Sequence, residues 1–520
     1  MTTQAPEQIH RTIEPILLDM REDLLRDTAR LIQFQTVSGG NDEQERLYRE
    51  QIPACLQWLK ELSEVMGFRF RQWENRVAEI EWPAEGANGA GTPPVLGIAS
   101  HIDVVTPAGK WTHPPFSGEI ADGIMYGRGM QDDKGPLMQA LYGLHAVRKS
   151  GIKLPCSVRL IIGTQEETGD WSDIAYYLEQ RPAPDYAFTP DADFPLIIGE
   201  KGMCNVQFRA KWPRVAPHPE TRMEFVSLAG GSRANIVPDT AEVRLRFPQE
   251  NKNDVMKELV RETTRFTVEN PNANVTLVPD DEAESKAQDY YEALVTFLGK
   301  AAHSSTPDKG HNAVADALRF FADIETLPRE VRAFVQFLTV LASETDGSTL
   351  GIQTNHPFVG DTTAVLSLLD IGPEGGTALL NVRQTMGLSG AEVMRKAQEA
   401  VDAFRELSGL DVEIVRKGNG VDATYLDPDQ PAIGEFLASL RKAYELVVGE
   451  PCRQVAIGGT TYAKAFPNCC AFGPVLPGVD EALAHQADEH MAVDSVVRNA
   501  LIYGLSAALM ANSGSGAAGN

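Results

Sequence analysis

Between residues 95 and 188, short apolar runs alternate with helical stretches, and this alternation constrains the fold more than any other feature of the chain. "VLGIAS" (95–100) reads as a buried strand and "GPLMQALYGLHAVRKSG" (135–151) as a helix. "SVRLIIG" (157–163) reads as a strand, "WSDIAYYLEQ" (171–180) as a helix and "DYAF" (185–188) as a strand. Parallel strands need a crossover between them, and a helix after each strand supplies it. The expected class is α/β, a mostly parallel sheet flanked by helices. Apolar residues at helical spacing over Ile13–Phe34 and Arg46–Met66 predict two helices ahead of this region.

After about residue 205 the pattern becomes α+β. "MEFVSLAG", "TAEVRLRFP" and "NVTLVP" alternate as strands do, while "DVMKELVRETTRFTVE" is helical. A weak echo follows. "AVLSLLDIGPEGGTALLNVRQTM" (364–386) repeats the layout of "EFVSLAGGSRANIVPDTAEVRLRFP" (224–248), and a helical stretch follows each copy. A duplicated α+β unit is therefore expected. From about 421 the α/β pattern returns. At 520 residues the chain exceeds what one core supports. The expected organisation is one α/β domain split into 1–205 and 421–520, interrupted by an inserted α+β domain over 206–420.

The net charge of -25 excludes nucleic acid and anionic membrane as expected partners, because both need basic patches. The start lacks a signal-peptide pattern, and no apolar run reaches the roughly 18 residues of a membrane span. The six cysteines are scattered without metal or disulfide spacing, which predicts reduced core residues of a cytoplasmic protein. The small, polar tail "SGSGAAGN" reads as a disordered end.

Five polar segments interrupt the apolar pattern. They are "SHIDVVTPAGKW" with His101 and Asp103, "GIMYGRGMQDDKGP" with Asp132 and Asp133, and "GTQEETGD" with Glu166 and Glu167. "TPDADFPLIIGEKG" brings Asp191 and Asp193, and "LAHQADEHM" brings His485 and His490. Taken singly, His101-x-Asp103 reads as a surface loop pair, Asp132 and Asp133 as acidic residues at a helix start, and the others as solvated loops. Placement changes that reading. His101, Glu166/Glu167 and Asp191 lie just past separate predicted strands, where open α/β sheets build their sites. Two adjacent glutamates repel each other in a low dielectric unless cations are near. Imidazole and carboxylate without thiolate suit zinc, manganese or cobalt. The number of ligands exceeds what one tetrahedral ion needs and fits two ions sharing a carboxylate.

The segments "SHIDVVTPAG", "GRGMQDDKGP", "TQEETG", "TPDADFPLIIGEKG" and "AHQADEH", in this order and spacing, resemble the M20 family of dinuclear zinc peptidases, in particular its PepV-like dipeptidase branch, related to the carboxypeptidase G2, carnosinase and acylase groups. "GKAAHSSTPDKGHNA" (299–313) and "GGTTYAKAFPNCCAFGP" (458–474) resemble that branch as well, so the likeness is nearly end to end. The resemblance implies that Asp132 bridges two divalent ions, zinc first, with manganese or cobalt as alternatives. It implies that His101 and Asp191 complete one ion and Glu167 and His485 the other. Asp103 matches the residue that orients the first histidine, and Glu166 matches the general base. The Asp132–Asp133 peptide is typically cis in the family.

The resemblance further makes the insertion a lid whose doubled unit mimics a dimer within one chain. His303 would then act within the same chain, with a monomer favoured and a homodimer as the alternative. Asn235 in "RANIVPD" and Arg383 in "NVRQT" match substrate-contacting positions, and the backbone amides of Gly458, Gly459 and Thr460 are expected to assist in substrate binding, since glycine permits close approach. His303 would donate to the oxyanion, and Arg383 would clasp a substrate carboxylate. The implied reaction is hydrolysis of the amide bond of dipeptides or short peptides with a free C-terminal carboxylate, by a bridging water that Glu166 activates. An N-acyl amino-acid deacylase or a carboxypeptidase uses the same ligands and is the nearest alternative. An inactive metal- or peptide-binding protein is the remote one. His10, His113, His145, His218, His311, His356 and His490 are left as structural or surface residues, and Lys134 as a local neutraliser.

Overall fold

The computed structural model describes residues 4–84, 93–154, 156–214, 223–279, 290–322 and 327–513. The tail 514–520 and His218 lie outside the described residues. The chain forms two compact units, Met1–Glu200 with Thr424–Asn520, and Lys201–Ala423. The crossings between them fall at 200/201 and 423/424, a few residues from the expected 205/206 and 420/421. The first offset has a plain cause. Gly202–Lys211 is one continuous strand with alternating burial, so the chain changes unit before this strand and not within it.

The first unit is built on a nine-stranded sheet. Its centre is parallel: Ser157–Gly163, Val95–His101, Tyr186–Thr189 and Cys469–Phe472 lie side by side in that order. Antiparallel strands flank this centre, Val77–Trp82 on one side and Leu196–Glu200 on the other. The central strands read as near-continuous apolar runs because both faces are covered by other elements. Val95–His101 and Ser157–Gly163 are buried along almost their whole length.

The helix Lys134–Lys149 is buried from Lys134 through Leu144, as expected of a helix that is apolar nearly all round. It packs on Val493–Ser513 at a glycine contact: a Cβ on Gly143 would lie 2.2 Å from the Ala500 carbonyl oxygen. A Cβ on Gly504 would lie 2.6 Å from the Gly143 oxygen. Only glycine lets the two backbones approach this closely. The region Ile13–Phe34, read as one helix, is two, Pro6–Asp19 and Arg21–Ile32. The helix expected at Arg46–Met66 runs Asp42–Val65, and Asn41 with Gln44 closes a capping box at its start.

The second unit holds an eight-stranded antiparallel sheet whose order exposes the duplication. One half runs Asn274–Pro279, Tyr290–Leu298, Thr240–Pro248, Glu224–Gly230. The other runs Thr363–Gly372, Gly375–Gln384, Gly202–Lys211, Val412–Val421. The halves meet antiparallel, Leu228 opposite Ile371 and Gly230 opposite Leu369, as a two-fold relation requires. Each echoed strand pair leads into a helix, Lys252–Glu269 or Gly390–Ser408, and then into its half's outer strand. Helices Ala313–Ala322 and Arg329–Leu341 contribute Phe321, Phe334 and Leu338 to the core of this unit.

Candidate metal centre

Three adjacent, mutually parallel strands end at the same edge of the first unit's sheet, so the residues that follow them are brought together. His101 closes one strand, Glu166 and Glu167 follow the next, and Asp191 follows the third. Asp132 arrives from the loop before helix Lys134–Lys149, and His485 from the loop before strand His490–Ala492.

These side chains form two groups. Ligand atoms of His101, Glu166 and Asp191 lie within 4.8 Å of one another, as do those of Asp132, Glu167 and His485. Asp132 also spans the groups: its Oδ1 is 3.0 Å from His101 Nε2, and its Oδ2 is 3.0 Å from His485 Nε2. His485 Nε2 is also 3.0 Å from Glu167 Oε2, and His101 Nε2 is 3.8 Å from Asp191 Oδ2. Two ligand atoms of one tetrahedral zinc ion are about 3.3 Å apart, so this spacing is that of a ligand shell. The Asp132–Asp133 peptide is cis.

A cation fits these residues on two observations. His101 Nε2 and Asp132 Oδ1 are buried and 3.0 Å apart, yet neither makes a well-aligned hydrogen bond, which is costly for atoms of this polarity unless an ion satisfies them. The charge balance is also one-sided. Burial pulls His101 down, but the carboxylates of Asp103, Asp132 and Asp191 outweigh it and raise its pKa. Hydrogen bonds to Asp132 and Glu167 push His485 up to about 11. Burial, then the charge of Asp132, pushes Asp191 up to about 7. Burial, then the charge of Asp191, raises Glu166. Carboxylates in excess over imidazoles, without thiolate, form a donor set for a hard or borderline divalent cation.

The loop Thr164–Glu167 is held by its own backbone amides. Asp173 Oδ2 accepts from Thr164 N at 2.7 Å and Gln165 N at 2.9 Å. Asp103 Oδ1 accepts from Glu166 N and Oδ2 from Glu167 N, both at 3.1 Å. Asp103 also meets the first histidine. The nearest acceptor to His101 Nδ1 is the Asp103 backbone oxygen at 3.0 Å, with the carboxylate at 3.4 Å. Asp133, at the start of its helix, makes no side-chain cap there, and its Oδ2 accepts from His101 N at 3.3 Å. Lys134 is buried and donates to the Phe34 carbonyl at 2.5 Å, so it serves the core.

Gly458, Gly459 and Thr460 lie on the loop after strand Gln454–Ile457. Thr461 anchors that loop to buried Glu200 through its N–H at 3.2 Å and its hydroxyl at 2.7 Å. The next residue, Tyr462, sets its ring edge against His101, centroids 6.0 Å apart, and donates to Asp173 at 2.6 Å. Asp173 and Tyr462 were not singled out in the sequence. Each lies in a quoted segment, "WSDIAYYLEQ" or "GGTTYAKAFPNCCAFGP", where nothing distinguishes it from an ordinary helix or core residue.

His303, Asn235 and Arg383 gather in the second unit. Ser304 N donates to the Asn235 carbonyl at 2.9 Å, and Ile236 bridges to His303. Arg383 Nε reaches Ser304 Oγ at 3.3 Å and Asn381 Oδ1 at 3.2 Å. Burial first, then the charges of Arg383 and Lys201, lowers His303 to about 4, so its imidazole is neutral near pH 7.

An α/β sheet with imidazoles and carboxylates converging at the carboxyl ends of its parallel strands defines a protein with a divalent-metal site. Residues 97–508 match Peptidase family M20/M25/M40, and the chain belongs to that family and is a metallopeptidase. It is 31% identical over 486 residues to "Putative dipeptidase YtjP" of Bacillus subtilis (strain 168), covering 93% of this chain and 96% of that protein. It is 31% identical over 414 residues to the Beta-Ala-Xaa dipeptidase of Lactobacillus delbrueckii subsp. lactis, covering 78% of this chain and 80% of that one. Its fold resembles the dipeptidase Dug1p of Saccharomyces cerevisiae, with TM-score 0.55, 15% identity and coverage of 98% and 99% of the two chains.

Proposed function

We propose that the chain is a two-metal dipeptidase acting on dipeptides or short peptides with a free C-terminal carboxylate. The observation that carries this is the posture of Asp132, with one carboxylate oxygen beside each of two imidazoles. In this reading His101 and Asp191 hold one ion, Glu167 and His485 the other, and Asp132 both. Zinc is preferred, with manganese or cobalt as alternatives. When bound, the ions supply Lewis-acid activation of a water and of a carbonyl oxygen.

The remaining work falls to the chain. Glu166 takes the proton of the attacking water and delivers it to the leaving amine. Asp103 keeps Glu166 and Glu167 in place through their amides. Neutral His303 donates a hydrogen bond to the developing oxyanion, and Arg383 with Asn235 binds the substrate carboxylate. The names of the two dipeptidase relatives support a dipeptide substrate. In the second unit, the strands that would pair between the lids of a dimer pair within one chain, which supports a monomer. Six buried, free cysteines support a reducing, cytoplasmic setting, and no described helix is long and apolar enough to cross a membrane.

The test is a panel of dipeptides, tripeptides and N-acyl amino acids, run on wild type and Glu166→Gln with bound metal measured in both. Dipeptide turnover that vanishes in the variant at unchanged metal content is the expected result. Cleavage of N-acyl amino acids alone, or turnover without metal, would overturn the reading.

A further inference from the structure

The loop Gly127–Asp133 carries Asp132, and the loop Glu481–Glu489 carries His485. Among the described residues, the strands next to them pair at Tyr126–His490, Met125–Met491 and Ile124–Ala492. His485 itself is poorly fixed by packing: its side chain is 52% exposed and its φ of +65° lies in the left-handed region.

Three side chains bridge the two loops. Glu489 Oε1 accepts from Gln131 N at 2.8 Å and from Asp132 N at 3.2 Å, while Oε2 takes the Arg128 guanidinium. The same guanidinium donates through Nη2 to the Gln486 carbonyl at 3.2 Å. The Gln131 amide donates to the carbonyls of Glu481 at 2.8 Å and His490 at 2.7 Å, and accepts from Leu483 N at 2.8 Å. Leu483 and Gln486 bracket His485, so the bonds close around the histidine from both sides. Arg128, Gln131 and Glu489 are nearly inaccessible to solvent. A buried ion pair is a poor source of stability, because desolvation offsets its attraction. What it does provide is fixed geometry, here between two metal-bearing loops.

We propose that Arg128, Gln131 and Glu489 are positioning residues that set the separation of Asp132 from His485, and so govern ion affinity at the Asp132–Glu167–His485 site. This rests on the two-ion reading above. Outer partners of metal ligands typically change affinity 10- to 100-fold when removed. The other ion shares Asp132 but is completed by His101 and Asp191, which receive none of these bonds, so its affinity should fall less.

The experiment measures Zn2+ stoichiometry and affinity by equilibrium dialysis, and the Co2+ absorption spectrum, for wild type, His485→Ala, Glu489→Gln and Gln131→Met. His485→Ala identifies which ion and which cobalt band belong to the second site. Glu489→Gln and Gln131→Met are expected to weaken that ion at least about tenfold. The other ion, which shares Asp132 but not His485, should weaken less than this one, an outcome that general unfolding would not give. Gln131→Met keeps the buried charge pair, so it reports on the proposal even if Glu489→Gln fails to fold. The proposal is overturned if the folded variants hold both ions as wild type does, or lose both equally. A wild type that takes up fewer than two ions, or a His485→Ala variant that keeps both, would instead defeat the two-ion reading and this proposal with it.

Discussion

The two units place histidine in opposite electrostatic settings. In the first, His485 faces Asp132 and Glu167 and is pushed up to about 11. In the second, His303 is buried near Arg383 and Lys201 and falls to about 4. The difference shows what each site asks of a ligand. An imidazole among carboxylates holds a positive charge, either a proton or a metal ion in its place. An imidazole among cations stays neutral and remains available as a hydrogen-bond partner for an anionic or polarised group. The first unit thus gathers groups that favour a cation, and the second groups that favour an anion.

Removing the shared carboxylate should break this contrast most completely. Asp132→Ala is expected to lose both ions and bring activity to background, read by elemental analysis and peptide turnover. Hydrogen exchange should rise in the segments carrying Asp103, Glu166 and His485 while that around His303 and Arg383 stays as in wild type. Equal loosening of both units would show that the cation-binding character is not confined to the first.

The adjacent glutamates sharpen the same contrast within one loop. Glu166→Gln should lower kcat by about 10²–10⁴-fold with metal content unchanged. Glu167→Gln should lower metal affinity, and added Zn2+ should restore part of the activity. Metal loss in Glu166→Gln would make that residue a ligand, which its place within 4.8 Å of His101 and Asp191 also permits geometrically. In the second unit, Arg383→Lys should raise KM by about 10- to 100-fold with a smaller change in kcat, since lysine cannot reproduce a planar two-point contact. A larger change in kcat than in KM would move Arg383 from binding to catalysis.

Much of the first unit was legible because its signals are local. Parallel strands buried on both faces write themselves as apolar runs, and Ser157–Gly163 has the bounds its sequence suggests. The segments after those strands hold His101, Glu166, Glu167 and Asp191, and parallel topology alone brings them to one edge. The network behind them was less legible. Arg128, Gln131 and Glu489 lie inside the quoted segments, yet arginine, glutamine and glutamate in loops usually face water, and only the crossing of two distant loops buries them. Asp173 was hidden in the same way, as an acidic residue in the first turn of a helix that is in fact spent on the amides of Thr164 and Gln165. In the second unit, Gly202–Lys211 alternates Cys204, Val206, Phe208 and Ala210 toward the core, a period-2 signal present in the sequence. Its partners Gly375–Gln384 and Val412–Val421 are far away in the chain, and local pattern does not specify such pairing.

The smallest expected effect tests His303 itself. Its pKa is about 4 in the folded protein against 6.5 for a free imidazole, so the unfolded chain binds a proton first as pH falls. Above pH 6.5 both states are neutral and the residue contributes no pH dependence. As pH drops from 6.5 toward 4, protonation of the unfolded chain draws the equilibrium away from the fold, and below about 4 the loss levels off. The cause is burial first, then the charges of Arg383 and Lys201, so replacing His303 with the neutral, similarly shaped glutamine should remove this part of the acid sensitivity. Melting curves of wild type and His303→Gln should run parallel from pH 8 to 6.5. Below that the variant should gain about 2 °C relative to wild type, a modest value because the imidazole is only half-buried and solvent screens it. Curves that stay parallel down to pH 4 would mean that His303 is protonated in the folded protein, and the contrast between the histidines of the two units would no longer hold.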